Sequence, residues 1–420
     1  MIAQPLGKNY SRFVNVLIFI FPIVINSLQV AGDIVLFILA MMGLFIAISQ
    51  RLSPFIIKDI KVFSYLTFGY FIAICLSVLF SVQAAEIAHY IPRDFYFLFA
   101  PFIAIALYKA EINMNYLLVG VKVSLLVIGG IYIEQGGVRA TGIGVMNAGV
   151  FGNLAVLLFF IALVFPQYDS LKHKAFNLVV LVFNLVTLSF GLVAIIGSGT
   201  RGAWLTFLLL LVTYSYFFYK KQTKFSPKSK IIIVFFIASI ITFSGFNQTI
   251  KDRSNQTYIQ ISNWMNGNPS SGLIISNAVG LRLNMYKKAV NNIEDVPFFG
   301  YGLRLSNVSL FQNDMSPMGR ISVRFNHLHN AFLTNYYNGG IILLGALLLL
   351  LFIPLRLFIK ANSQNREDPL FISGALLTLG YASHGMVNIL LGDTYMNGFY
   401  VFFLAIFMVL HGKSMTLSSA

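Results

Sequence analysis

The sequence predicts an all-α integral membrane protein of about twelve transmembrane helices, with one long outer loop that contains an amphipathic helix. Three observations carry this reading. Of 420 residues, 57% are hydrophobic and only 10% charged, and the mean hydropathy is +0.78, a balance foreign to a soluble domain of this length. Apolar runs long enough to cross a bilayer core of about 30 Å recur along nearly the whole chain, each bounded by charge, Gly or Pro. Most Lys and Arg in the short connections fall on one side when the spans are counted off alternately, and the other side holds few.

The expected spans are 13–31, 33–50, 62–82, 93–109, 115–133, 147–166, 174–196, 201–219, 230–247, 330–357, 370–390 and 395–411. The first lacks a small-residue cleavage pattern and runs at once into the second, so it reads as a retained helix rather than a signal peptide. With the N-terminus inside, Lys8, Arg12, Arg51, Lys58, Lys61, Lys109, Lys172 and Lys174 are cytoplasmic. The same phase places the lysine-rich loop 220–230, Arg356, Lys360, Arg366 and Lys413 there, and with them both termini. The net charge of +15 is mostly this signal, and cytoplasmic loops this short make no basic face for nucleic acid. The lone cysteine, Cys75, lies inside the third span, which excludes an intrachain disulfide and a Cys-based metal centre.

One connection breaks the pattern of short loops. Residues 248–329 form an outward-facing segment too long for a turn, dividing the chain into helices one to nine (1–247), the loop, and helices ten to twelve (330–420). Within it, 281–296 has helical spacing, with Leu283, Tyr286, Val290 and Ile293 on one stripe; Pro297 stops it and FFGYG follows as a glycine turn. The stretch 254–279, rich in Asn, Ser and Gly, reads as irregular. The loop holds eight cations against four acids, which suits either an ordinary translocated loop or an anionic ligand at the outer face.

GSGTRGAWL, 197–205, joins spans seven and eight on the outer side. A helix entering the membrane from outside points its free N–H groups and positive dipole end outward. Gly197, Gly199 and Gly202 permit tight turning, Thr200 is a natural cap, and Arg201 adds a planar fork of donors, so the stretch suits phosphate. A snorkelling arginine anchoring a helix end is the plainer use of Arg201. Arg282 opens the amphipathic helix, where a solvated arginine is equally ordinary. His327 and His329, in NHLHN, sit two apart, about 200° around a helix, whereas helical zinc pairs stand four apart, so metal binding is weakly supported. A neutral imidazole acting as base, or a histidine hydrogen-bonded at a helix start, remain as the two readings. Lys122 in span five, able to snorkel, and His384 in span eleven are the ionisable residues inside the spans that stand out.

The ordered set GSGTRGAW, GLRLNMY with PFFGYG, and HLHN with Gly340 after nine further residues, on this span plan, resembles the O-antigen ligase family. The resemblance implies a GT-C-like architecture in a bacterial inner membrane. It implies transfer, at the periplasmic face, of a polysaccharide carried on undecaprenyl pyrophosphate to lipid A core oligosaccharide, inverting the anomeric carbon with no metal or other cofactor. Position by position, Arg201 and Arg282 match the arginines assigned to the pyrophosphate and His329 the histidine of the H–N motif. Arg139 in VRATGIG and Asp393 in LGDTY match further polar residues, Arg93 is placed as another lipid-phosphate contact, and His327 and Asn330 flank the histidine. The chain departs from the pattern at Leu343, where a small residue or Tyr is usual. O-antigen polymerases and protein O-oligosaccharyltransferases share this plan and differ in acceptor. A lipid or polysaccharide transporter, the rival from another class, would place ionisable groups and broken helices near midplane.

Overall fold

The computed structural model describes residues 5–135, 147–164, 174–221, 248–265, 278–364, 369–389 and 391–418, and among them every regular element is helical. The longer helices are α1 (Lys8–Ser27), α2 (Gln29–Ser49), α3 (Lys61–Leu79), α4 (Phe95–Tyr108), α5 (Met114–Glu134), α6 (Ala148–Val164), α7 (Lys174–Gly197) and α8 (Arg201–Lys221). They continue as α9 (Gln248–Met265), α10 (Ala278–Asn291), the short α11 (Ser306–Phe311) and α12 (Pro317–Ser322), then α13 (Ala331–Gln364), α14 (Pro369–Gly385) and α15 (Thr394–Ser418). Among the described residues, eight stretches are long and apolar enough to cross a membrane, so the chain is a multi-pass membrane protein.

Helices stand at eleven of the twelve expected span positions; the ninth, 230–247, lies outside the described residues. Four expectations are corrected. The first break falls at Leu28, whose extended backbone (φ −141°, ψ 91°) interrupts an apolar run that hydropathy alone divides four residues later. Residues 254–265, expected to be irregular, continue α9. Span ten is two helices: Gly339 and Gly340 leave helical geometry inside α13, Gly340 with φ 62° and ψ −157°. Lys122, expected to snorkel, is instead 1% exposed inside the bundle.

Apolar surface gives helices no preference for one another over lipid, so packing depends on close fit. Gly43 of α2 lies against the Phe102 carbonyl of α4, and Gly120 of α5 against the Phe19 carbonyl of α1, where a Cβ would collide with backbone. At the centre runs α15, whose residues from Phe399 to Val409 are all buried. One end of the bundle gathers the N-terminus, the 109–113 turn and the end of α15: the Leu6 N–H donates to the Lys109 carbonyl (3.1 Å) and Lys413 Nζ to the Ala110 carbonyl (2.9 Å). The opposite end carries a second, smaller core of Leu281, Met285, Ala289, Phe311, Leu328 and Tyr337.

This cap is fastened to the bundle at the α13 kink. Tyr337 Oη donates to the carbonyls of Ala289 (2.8 Å) and Asn292 (2.9 Å), tying the outer part of α13 to α10. The PFFGYG turn lies on the kink itself, with Tyr301 N–H donating to the Tyr337 carbonyl and Gly302 N–H to the Asn338 carbonyl, both 2.8 Å. From below, Ser77 Oγ of α3 reaches the Asn338 carbonyl (2.7 Å) and Ser81 Oγ the Tyr301 carbonyl (2.6 Å).

Candidate functional site

The buried stripe of α10 is Leu281, Met285 and Ala289, while Val290 and Ile293, expected on it, are exposed. Small Ala289 and flexible Met285 fit the tight cap core, so packing overrides the hydrophobicity count. The correction matters for Arg282: one position from that stripe, it is half-buried rather than solvated. Tyr286, one turn on, donates its hydroxyl to the His329 carbonyl at 2.6 Å.

The NHLHN loop is pinned by its apolar centre, Leu328, which is fully buried and whose N–H donates to Thr334 Oγ1 at 3.0 Å. Asn330 caps α13: its Oδ1 accepts the Leu333 N–H at 3.0 Å, and its Nδ2 reaches across to the Met386 carbonyl beyond α14 at 3.2 Å. Capping thus falls to the asparagine and leaves the histidines other work. His327 Nδ1 accepts the His329 N–H (3.1 Å), and the two rings meet edge to face with centroids 4.3 Å apart. His329 is held at φ 52°, a left-handed backbone that costs a non-glycine residue about 1 kcal/mol or more. Its Nδ1 is buried with no hydrogen-bond partner among the described residues, while Asn388, after α14, hydrogen-bonds the imidazole.

Burial, then His327, then Arg282 push the His329 pKa down to about 3 against the weaker pull of Asn388. Burial and Arg282 push His327 to about 4. Burial also lowers the Arg282 pKa, opposed by Tyr286. Both imidazoles are therefore neutral at pH 7 beside a guanidinium. A site with this cation as neighbour is poorly suited to a metal ion and well suited to an anion. Arg282 also lies within electrostatic reach of His384, at the end of α14.

The GSGTRG turn approaches the same place from α8. Gly199 takes φ 58°, whereas Gly197 and Gly202 serve close packing against Tyr132 and Val387. Thr200, expected to cap, instead donates its hydroxyl to the Ala148 carbonyl at 2.9 Å, which joins the starts of α6 and α8. Arg201 Nη1 donates to Gln260 Oε1 of α9 at 3.3 Å. The turn after α14 is the hub: Met386 meets Asn330, Val387 meets Gly202 beside Arg201, and Asn388 meets His329.

Other expected residues group elsewhere. The Arg93 guanidinium stands 5.4 Å over the Tyr90 ring, with Arg304 at 4.3 Å from the same ring. Asp393, near Arg93, accepts the N–H groups of Tyr395 (3.1 Å) and Met396 (3.4 Å) and so caps α15; burial raises its pKa, those N–H groups and Arg93 opposing. Arg139 lies outside the described residues. Sequence reasoning missed Asn388, an unremarkable amide whose role depends on the α14 turn reaching the loop. His384 carried one signal, an ionisable group in an apolar span.

Three separate motifs thus meet around the turn after α14, and all three lie in the segment 184–350, which matches the family model described as O-antigen ligase. Those residues carry an O-antigen ligase family domain. The domain takes in Arg201, Arg282, His327, His329, Asn330 and the Gly340 kink, while Arg93, His384, Asn388 and Asp393 lie outside it. An uncharacterized protein of Haemophilus influenzae is 28% identical over 174 residues, 40% of this chain and 42% of its own length, so the match spans less than half of that relative.

Proposed function

We propose that this protein is an O-antigen ligase, a glycosyltransferase that moves an undecaprenyl-pyrophosphate-linked polysaccharide onto lipid A core oligosaccharide at the periplasmic face of a bacterial inner membrane. The observation that carries the reading is Arg282 held within the cap beside the neutral imidazoles of His327 and His329. In the reaction, an acceptor sugar hydroxyl loses its proton to His329 as its oxygen bonds to the anomeric carbon from the face opposite the leaving group. The anomeric C–O bond to pyrophosphate breaks, the electron pair stays on the departing phosphate oxygen, and Arg282 and Arg201 stabilise that charge. The configuration inverts, and cleavage of the donor bond supplies the driving force. Arg93 and Arg139 serve as further phosphate contacts, Asp393 positions the segment beside Arg93, and His327 and Asn330 hold His329 in place. The cation-rich end of the bundle faces the cytoplasm, with both termini.

A base with a resting pKa near 3 holds a proton poorly. The arriving pyrophosphate offsets Arg282 and raises that pKa, so the base is switched on by its own donor. The two kinetic constants then separate. In the free enzyme the imidazoles protonate only near about 3 and about 4, so kcat/KM shows no histidine limb between roughly pH 5 and 8. The complex titrates higher, and kcat falls at a higher pH than kcat/KM does. An acid limb near pH 6.5 in kcat/KM contradicts the switch.

The test is purified protein with lipid-linked glycan and lipid A core, with and without chelator, comparing wild type and His329→Ala. Single transfer to lipid A core, insensitive to chelator and lost in the variant, is expected. Laddered glycan on the polyprenyl carrier would make the enzyme a polymerase, and donor movement with no glycosidic product would make it a transporter. The gathering of the motif residues at one end of the bundle favours the enzyme over the transporter.

A further inference from the structure

His384 ends α14 and is 1% exposed, yet neither ring nitrogen has a hydrogen-bond partner among the described residues. An imidazole always carries at least one N–H to donate, and a buried donor left unmade is costly enough that structures seldom keep one without use. Its charged neighbour is Arg282, which offers donors only. Whatever completes His384 must therefore accept hydrogen bonds and tolerate a guanidinium alongside, which describes an anionic oxygen. His329 Nδ1 is the third buried nitrogen here without a partner, whereas His327 Nδ1 is already occupied by the His329 N–H. The wall that carries His384 is fixed to the loop: Asn330 bonds the Met386 carbonyl two residues on, and Asn388, one turn on, bonds His329.

We propose that His384 is a further substrate-binding residue, its imidazole donating to the phosphoryl group that Arg282 receives, at the inner side of the site. The inference rests on the pyrophosphate reading above and adds a residue to it from outside the family domain. A phosphoryl group offers several acceptor oxygens, matching an arginine fork and an imidazole from two directions.

The full-length protein in detergent, with geranyl pyrophosphate and geraniol as probes, tests this by calorimetric Kd. His384→Met fills the space with a flexible apolar chain, and His384→Gln keeps an N–H donor. The expected result is geranyl pyrophosphate bound at least about tenfold more weakly by His384→Met, with much of the loss recovered in His384→Gln and geraniol binding the same in all three. A purely structural histidine would change both probes together. If folded His384→Met binds geranyl pyrophosphate as wild type does, or loses both probes equally, the inference falls while the pyrophosphate reading stands, provided Arg282→Ala has lost binding. If the wild type shows no preference for geranyl pyrophosphate over geraniol, both fall.

Discussion

The two parts of α13, on either side of Gly339 and Gly340, differ in their packing: the second lies wholly in the bundle, while the first shares its residues between the bundle core, which takes Ala331, and the cap. Below the kink, Leu343, Leu347, Leu350 and Leu351 join the large apolar core of the bundle. Above it, Tyr337 joins the small cap core with Met285 and Leu328. The bundle requires apolar side chains and close helix contacts, and many sequences meet that requirement. The cap is held by specified polar bonds: Tyr337 to α10, Tyr286 to His329, Asn330 to Met386. The residues proposed for the chemistry sit where position is set by individual bonds rather than by composition.

That contrast is broken most sharply at the kink. A Cβ at Gly340 would stand 1.9 Å from the Phe298 carbonyl oxygen at a φ of 62°, whereas one at Gly345, five residues on, meets nothing within 4 Å. Gly340→Ala should cost on the order of 3 kcal/mol or prevent folding, and Gly345→Ala should be neutral, as measured by thermal unfolding in detergent. Equal effects would mean that the turn does not rest on the kink. Next, His329→Gly relieves a left-handed backbone but gives up the ring contacts with His327 and Phe325, so stability should change by no more than about 1 kcal/mol while transfer is lost; a fully active variant removes His329 from the chemistry. The smallest effect belongs to Tyr286→Phe, which removes one hydrogen bond to the His329 carbonyl and should cost about 1 kcal/mol of stability with a modest loss of rate. No change in either would show that the loop needs no such tether.

Most of the bundle was legible because hydropathy and length alone specify a membrane helix, and α3, α5, α7 and α8 begin within one residue of their expected starts. The kink was hidden because Gly339 and Gly340, at the head of the apolar run that starts at Ile341, were read through as one span, and only the packed PFFGYG turn gives them their geometry. For the site, Arg201, Arg282 and His329 were legible as motifs, yet their meeting place was not. It is made by Val387 and Asn388, ordinary residues expected inside span eleven but lying beyond the end of α14, brought there by the packing of α14 on α8. Asp393 shows the reverse: matched to a polar residue of the family, it also has a local role, capping α15.

The central claim is that Arg282, turned into the cap, stabilises the further charge that builds on the donor's pyrophosphate as its bond to the sugar breaks. Its most direct test is the single-turnover rate of glycan transfer by Arg282→Ala at saturating lipid-linked donor. A loss of about 10²–10³-fold in rate, with the fold intact, is the predicted result. An unchanged rate would contradict it.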